Sequence, residues 1–240
     1  MQSNIESDFH RRVSPRELPE LMDGDCTYED FRDCLRSLET VNRWLLGYRP
    51  TLSWLKLLPH GWRDPVHIVD VGSGGGDLLR QIARWAGRRS LPMQLTGIDL
   101  NPYAALAAAK STPKELGIRW LTGDAMAYRP EKPIDIVLSS LLAHHLEDEE
   151  IVAFLRWMEA SARLGWFIND LERSEWSSRM FGWFRWHRIV RHDGPVSFRR
   201  AFRKDDWFRL LGAAGVPRAA VTVERWRPGR LCVGRWRGDL

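Results

Sequence analysis

The chain has 240 residues, 44% hydrophobic and 28% charged, the make-up of an ordinary globular protein and enough length for one α/β domain with an added helical cap. A formal charge of +5 and 13 tryptophans stand out; the charge alone would admit nucleic acid or an anionic membrane surface as partner, so the placement of these residues decides what they mean. No apolar run approaches the roughly 18–20 residues of a membrane span, and cysteines Cys26, Cys34 and Cys232 are too few and too scattered for a disulfide framework or a zinc site.

Residues 1–16 are polar and mixed in charge, unlike a signal peptide, and read as a frayed leader. Glu17 to Leu58 reads helical: Phe31, Cys34, Leu35 and Leu38 share one helical face, Val41, Leu45 and Leu46 continue the stripe, and Pro50 interrupts it before a short helix from Leu52 to Leu58. Val66 to Val71 is a β-branched apolar run ending in glycines, a buried strand feeding a tight turn. A helix from Leu78 to Trp85 follows, then a strand over Gln94–Asp99, an alanine-rich helix over Ala104–Lys110, and strands over Ile118–Leu121 and Ile134–Ser139. The acids from Glu147 to Glu150 suit the start of a helix running to Arg163. Gly165 to Asp170 is a fifth strand. Alternation of strand and helix over residues 66–170 predicts a doubly wound, mostly parallel sheet. Ala219–Trp226 and Arg230–Arg237, joined by Pro-Gly, predict an antiparallel closing hairpin. The expected organisation is an N-terminal helical cap over residues 1–60 and an α/β domain over 61–240, interrupted by an insertion at 171–204.

The run from Asp70 to Asp77 reads Asp-Val-Gly-Ser-Gly-Gly-Gly-Asp. Strand, glycine turn, helix is the architecture of a nucleotide-cofactor site, because glycines let the backbone approach a ligand closely. A dinucleotide fingerprint would need glycine where Asp77 stands, and a carboxylate there repels a pyrophosphate. Acids recur at the next two strand ends, Asp99 and Asp124. Each also suits a local turn or helix cap, but three in register form a constellation.

The pattern Asp70-x-Gly72-x-Gly74-x-Gly76 resembles motif I of the class I S-adenosylmethionine-dependent methyltransferases, and the likeness covers Val66 to Asp170 and the terminal hairpin. It is similar to the ubiquinone/menaquinone-type and polyketide-associated small-molecule branch, with short strings at Leu18–Leu58 and Arg191–Pro195 carrying that closer likeness. The resemblance implies a Rossmann-like, seven-stranded sheet and S-adenosylmethionine as cofactor. Asp70, Gly72, Gly74 and Gly76 would hold its methionine end, whose ammonium and sulfonium welcome carboxylates. Asp99 and Leu100 would meet the ribose, Asp124 and Ala125 the adenine, and Ser140 the far wall.

Methyl transfer is an in-line displacement, so alignment and exclusion of water matter most. A phenol, with a pKa of about 10, gains from a base, and methylation of a ring carbon also releases a proton. His144 and His145, just past the fourth strand, titrate near neutrality and are candidates for that base; the sequence does not separate them, and such a pair also packs cofactor pockets. Adjacent histidines rarely share one ion and no third ligand is evident, so no metal is expected. In the insertion, Trp176, Met180, Trp183 and His187 fall on one helical face and suit a wall over a planar, hydrophobic acceptor, with His192 and Asp193 as a further base and its orienter. The insertion's arginines also suit a solvated basic helix, peripheral contact with a membrane surface, or RNA. Against RNA, no Asn/Asp-Pro-Pro-Tyr/Phe string follows the fourth strand, and nothing points to DNA. The expected function is methylation of oxygen or carbon on a phenolic, quinol-like or polyketide-derived aromatic compound, in the cytoplasm. An RNA methyltransferase and a non-catalytic cofactor- or partner-binding protein are the alternatives.

Overall fold

A computed structural model describes residues 9–24, 26–58, 63–182 and 188–237. The core is a seven-stranded sheet in the order β3-β2-β1-β4-β5-β7-β6. The strands are β1 (Val66–Val71), β2 (Met93–Asp99), β3 (Arg119–Thr122), β4 (Ile136–Ser140), β5 (Gly165–Leu171), β6 (Thr222–Trp226) and β7 (Arg230–Trp236). The first five are parallel, and β7 enters antiparallel beside β5, with Gly165 opposite Trp236 and Leu171 opposite Arg230. All six residues of β1 are buried, as expected of a strand covered on both faces. The last hairpin starts later than the sequence suggests: Arg218–Ala220 form a single helical turn, and pairing begins at Thr222.

Helices α1 (Tyr28–Trp44), α2 (Arg49–Trp54), α3 (Asp77–Gly87), α4 (Pro102–Ser111), α5 (Asp148–Ser161), α6 (Glu175–Gly182), α7 (Arg188–Arg200) and α8 (Lys204–Ala214) surround the sheet. Local chemistry starts several of them. The Thr27 hydroxyl accepts from the Asp30 N–H, and Asn101 caps α4 through the Tyr103 N–H. At the start of α5 the Glu147 N–H donates to Glu150. One face of the sheet packs α5 and α8 around Ile151, Leu155, Trp207 and Leu210; the other packs α2 and α3 around Trp54, Leu79 and Ile82.

Helix α1 does not rest on the sheet. Phe31 and Leu35 meet Ala104 and Ala107 of α4, while Cys34 and Val41 meet Phe181, Ile189, Val190 and Phe198 of α6 and α7. It therefore bridges the two sides of the molecule above the carboxyl ends of the strands. The face that periodicity predicts for α1 is right in register, but it is divided between these two sets of partners.

The N-terminal segment corrects the expectation of a frayed leader, as far as it is described. Val13 is 1% exposed and its N–H donates to the Arg199 carbonyl. Arg12 donates to the carbonyls of Arg200 and Leu146 and pairs with Asp148 at 2.7 Å. Farther along, the Leu21 and Met22 N–H groups donate to the Asp193 carboxylate at 2.9 and 3.0 Å. Residues 9–24 are thus a strap bound down along α7. The segment lacks periodicity because polar contacts, and not an apolar face, hold it.

Candidate active site

Strand order reverses between β1 and β4, and in open α/β sheets ligands bind outside the strand ends at such a point. A cavity of about 830 Å³ lies there, toward the upper end of the range for small-molecule sites. Its lower half is the glycine loop and strand-end acids; its upper half is α1, α6, α7 and the strap.

The loop is shaped by what packs behind it. Gly72, Gly74 and Gly76 have φ of 68°, 50° and 75°, which side-chain-bearing residues rarely adopt. Gly72 and Gly74 face the cavity, but Gly76 does not. A Cβ on Gly76 would come within 2.3 Å of the Trp120 ring, and one on Gly97 within 2.4 Å of it. Gly76 thus makes room for a tryptophan from the edge strand, which corrects its reading as a ligand contact.

The acids differ in circumstance. Asp70 is 2% exposed and its Oδ1 has no hydrogen-bond partner. Burial, with Asp77 and Asp99 nearby, pushes its carboxyl well above the usual range. Asp99 accepts from the Gly74 and Asn101 N–H groups, both at 2.9 Å, which fixes the carboxylate against the loop. Burial still outweighs those bonds and the neighbouring His145, and its pKa is raised. Asp77 turns to the cap: its Oδ2 accepts from the Tyr48 hydroxyl at 2.7 Å and the Asn42 amide at 3.1 Å. Asp124 accepts the Met126 N–H at 2.8 Å as a turn cap and also lines the cavity. Leu100, Ala125 and Ser140 line it too. An orphaned buried carboxylate beside a glycine cradle calls for a cationic ligand group, so these residues fit the ammonium end of S-adenosylmethionine.

Past β4, His144 is 3% exposed and lines the cavity with His145. The His144 ring nitrogen Nδ1 lies 2.7 Å from Asp170 Oδ1, and its backbone N–H donates to Oδ2 of the same carboxylate at 3.3 Å. Burial alone would raise Asp170, but His144, the Leu171 N–H and Arg230 overcome it and hold the carboxyl below its ordinary value. A charged Asp170 accepts the hydrogen bond of a proton held on His144 Nδ1, the arrangement that turns Nε2 toward the cavity side of the ring. Glu20, from the strap, faces both rings, with its oxygens 4.0 Å from His144 Nε2 and 3.8 Å from His145 Nε2. Glu20 is the third ligand-type residue that the sequence did not reveal; its distance along the chain hid it. Asp170 was visible as an acid at the end of β5, and the pattern of acidic strand ends could have found it.

The insertion departs from expectation. Helix α6 is described over Glu175–Gly182, and its buried side is Ser177, Ser178 and Phe181. Trp176 is 67% exposed, and neither it nor Met180 lines the cavity. Trp183 and His187 lie outside the described residues. The wall is made instead by Phe181, Val190 and Phe198, one residue round the helix from the expected face. A Cβ on Gly194 would fall 2.1 Å from the Phe181 ring, so α6 and α7 close on each other at that glycine. His192 is half exposed, bonded to Asp193 at 2.9 Å, and not part of the lining; Asp193 lines the cavity but is occupied with the strap. Of the insertion's cations, Arg173, Arg199 and Arg200 are buried, which leaves a weaker basic face than the sequence implied.

Residues 68–165 match the family model of the methyltransferase domain. That stretch is similar to a methyltransferase domain. Trans-aconitate 2-methyltransferase of Streptomyces avermitilis is 36% identical over 96 residues, 38% of this chain. That match spans about a third (34%) of the relative's length. The methyltransferase fold extends over most of the molecule. A plantazolicin methyltransferase in complex with SAH and a substrate analogue superposes with a TM-score of 0.61 at 16% identity, covering 88% of this chain and 97% of that one. Magnesium protoporphyrin IX methyltransferase from Synechocystis PCC 6803 with bound SAH gives 0.56 at 15% identity, covering 90% of each. The matched stretch ends before the insertion and excludes the cap, so the family match does not reach the helices of the upper half of the cavity.

Proposed function

We propose that the protein transfers a methyl group from S-adenosylmethionine to oxygen or carbon of a small, hydrophobic aromatic acceptor. The observation that carries this is a single cavity that joins the glycine loop and its acids to an apolar upper half. When bound, S-adenosylmethionine supplies an electrophilic methyl group on a sulfonium.

Asp70 meets the ammonium of the methionine part, and Gly72 and Gly74 let the backbone approach it. Asp99, fixed by two backbone N–H groups, keeps lone pairs for the ribose hydroxyls, with Leu100 beside them. Asp124 and Ala125 border the adenine, and Ser140 closes the opposite side. Phe31, Leu38, Phe181 and Phe198 line the acceptor half, where a flat apolar ring displaces water and is held in line with the methyl group. His144, oriented by Asp170, takes the proton of an acceptor hydroxyl on Nε2; His145 stands beside it at a ring separation of 4.3 Å. The fold by itself does not select the acceptor: its relatives are named for trans-aconitate, plantazolicin and magnesium protoporphyrin IX. Selection falls to the upper wall.

No helix among the described residues is long and apolar enough to cross a membrane, and all three cysteines are free thiols, which supports a reducing cytoplasm as location. Calorimetry with S-adenosylhomocysteine tests the cofactor assignment, and tritiated S-adenosylmethionine with a panel of phenolic and quinol acceptors tests the reaction. Absence of binding to the intact chain overturns the proposal. Label transferred to RNA and to none of the panel overturns the acceptor class. If His144→Ala and His145→Ala both keep full turnover, the base assignment fails.

A further inference from the structure

We infer that Glu20, His144 and His145 form a binding site for one divalent transition-metal ion of the zinc class, open to the acceptor half of the cavity.

The first observation is convergence. One ligand atom from each of the three side chains falls within 4.8 Å of the others. The Glu20 oxygens lie 4.0 and 3.8 Å from the two Nε2 atoms. Those gaps are too long for hydrogen bonds and a few tenths of an ångström wider than the roughly 3.4 Å between two ligand atoms of a tetrahedral ion with bonds of about 2.1 Å, a difference that small side-chain movements close. The rings of His144 and His145 lie 4.3 Å apart and tilted by 40°, so both imidazoles approach the same carboxylate.

The second is the support around them. Metal-ligating histidines donate their other ring N–H to a carboxylate or carbonyl, which fixes the tautomer and raises ligand basicity. His144 does this with Asp170 at 2.7 Å, in a pair buried on both sides. The Glu20 carboxylate is itself held: its Oε1 accepts from the Ser197 hydroxyl at 2.7 Å and lies 3.3 Å from the Arg200 guanidinium. The charge of Arg200 opposes a cation, and that of Asp170 offsets it.

Two histidines and one glutamate with a further position open is the ligand set of catalytic zinc sites, not of closed structural ones. The open side here is the cavity that Glu20, His144 and His145 all line. The role, as distinct from the binding, rests on the methyl-transfer reading. An ion held by Glu20, His144 and His145 would supply Lewis acidity, which would ease loss of an acceptor hydroxyl's proton to solvent and leave the oxygen its electron pair. The site therefore selects acceptors with an ionisable hydroxyl. Ligation and base catalysis use the same His144 lone pair; His144 acts as free base only in the metal-free protein.

The test uses the full chain, tag removed and stripped with chelator. Zinc chloride is titrated calorimetrically, S-adenosylhomocysteine is titrated in parallel, and cobalt(II) serves as a visible-spectrum probe. One zinc per chain is expected, with cobalt bands of low-coordinate nitrogen/oxygen ligation. Glu20→Gln and His145→Gln should each weaken zinc at least 100-fold, and Asp170→Asn 10- to 100-fold. Circular-dichroism melts should match the parent in His145→Gln, whose half-buried side chain makes it the variant least prone to misfold. Absent binding, or zinc affinity unchanged in Glu20→Gln and His145→Gln, overturns the site. Loss of S-adenosylhomocysteine binding in the parent chain overturns the methyl-transfer reading alone.

Discussion

Replacing Asp70 with asparagine should move stability and ligand affinity in opposite directions. Asp70 is fully enclosed, one oxygen is unpartnered, and two further carboxylates stand close. Its folded pKa is raised above the unfolded value, so the sign follows. What the neutral carboxyl contributes to stability is complete below the ordinary carboxylate range and is lost as pH rises through the raised value. At pH 8 the ligand-free protein carries that loss. An unsatisfied buried polar group costs about 1–3 kcal/mol, and more when charged. Asp70→Asn should therefore stabilise the ligand-free protein at pH 8 by about 1–3 kcal/mol, a rise of roughly 2–4 °C in Tm per kcal/mol at this chain length. Near pH 4 the two proteins should melt together. S-adenosylhomocysteine still brings an ammonium, and loss of its carboxylate partner should weaken binding by tenfold or more, about 1.4 kcal/mol. Circular-dichroism melts at pH 4 and 8, with and without ligand, read both effects. A variant that is less stable than the parent at pH 8 without ligand, or that binds as tightly, refutes the assignment of Asp70 as a carboxylate kept strained for a cation.

Asp99→Ala removes an acceptor for two ribose hydroxyls at about 1.5 kcal/mol each, so calorimetry should find S-adenosylhomocysteine bound roughly 100-fold more weakly; a change under threefold in a folded variant refutes the contact. Gly97→Ala drives a methyl against the Trp120 ring at 2.4 Å and should cost about 1–3 kcal/mol by overpacking, with Trp120→Leu restoring part of it in the double variant. Asp170 has a lowered pKa against burial, through His144, Leu171 and Arg230, so its contribution is present at neutral pH and lost as pH falls through the lowered value. In urea titrations Asp170→Asn should lose about 1–3 kcal/mol at pH 7 and show a flatter decline toward acid. Burial pushes the Cys34 and Cys232 thiols up to about 12, so a disulfide reagent at pH 8 should label at most Cys26 in the folded protein and all three cysteines in denaturant.

The lower half of the cavity was legible because its signals are local. A β-branched run, a glycine turn and an acid at each strand end sit within a few residues of one another, and the parallel sheet imposes the same geometry on each. The upper half was not. Helical periodicity marks Phe31, Cys34 and Leu35 as a buried face but cannot say that α4, α6 and α7 cover it. Spacing within the insertion picks out the face of Trp176 and Met180, but α6 turns Ser177, Ser178 and Phe181 inward and leaves Trp176 exposed, which spacing alone does not decide. Glu20 carries no signature of its own, and Asp170 is marked only as one more acid at a strand end. Each matters through a side chain elsewhere in the sequence, and only the folded chain puts Glu20 opposite the histidines.

The strap also sets an order of events during synthesis. Its partners are late: Asp193 lies 172 residues after Leu21, and the Arg200 carbonyl 188 residues after Arg12. A chain made from its N-terminus exposes these donors long before the acceptors exist. The sheet up to β5 can assemble while the strap waits, and the roof over the cavity closes only once α7 has emerged. A nascent chain halted before Asp193 would hold a finished cofactor loop beneath an open top.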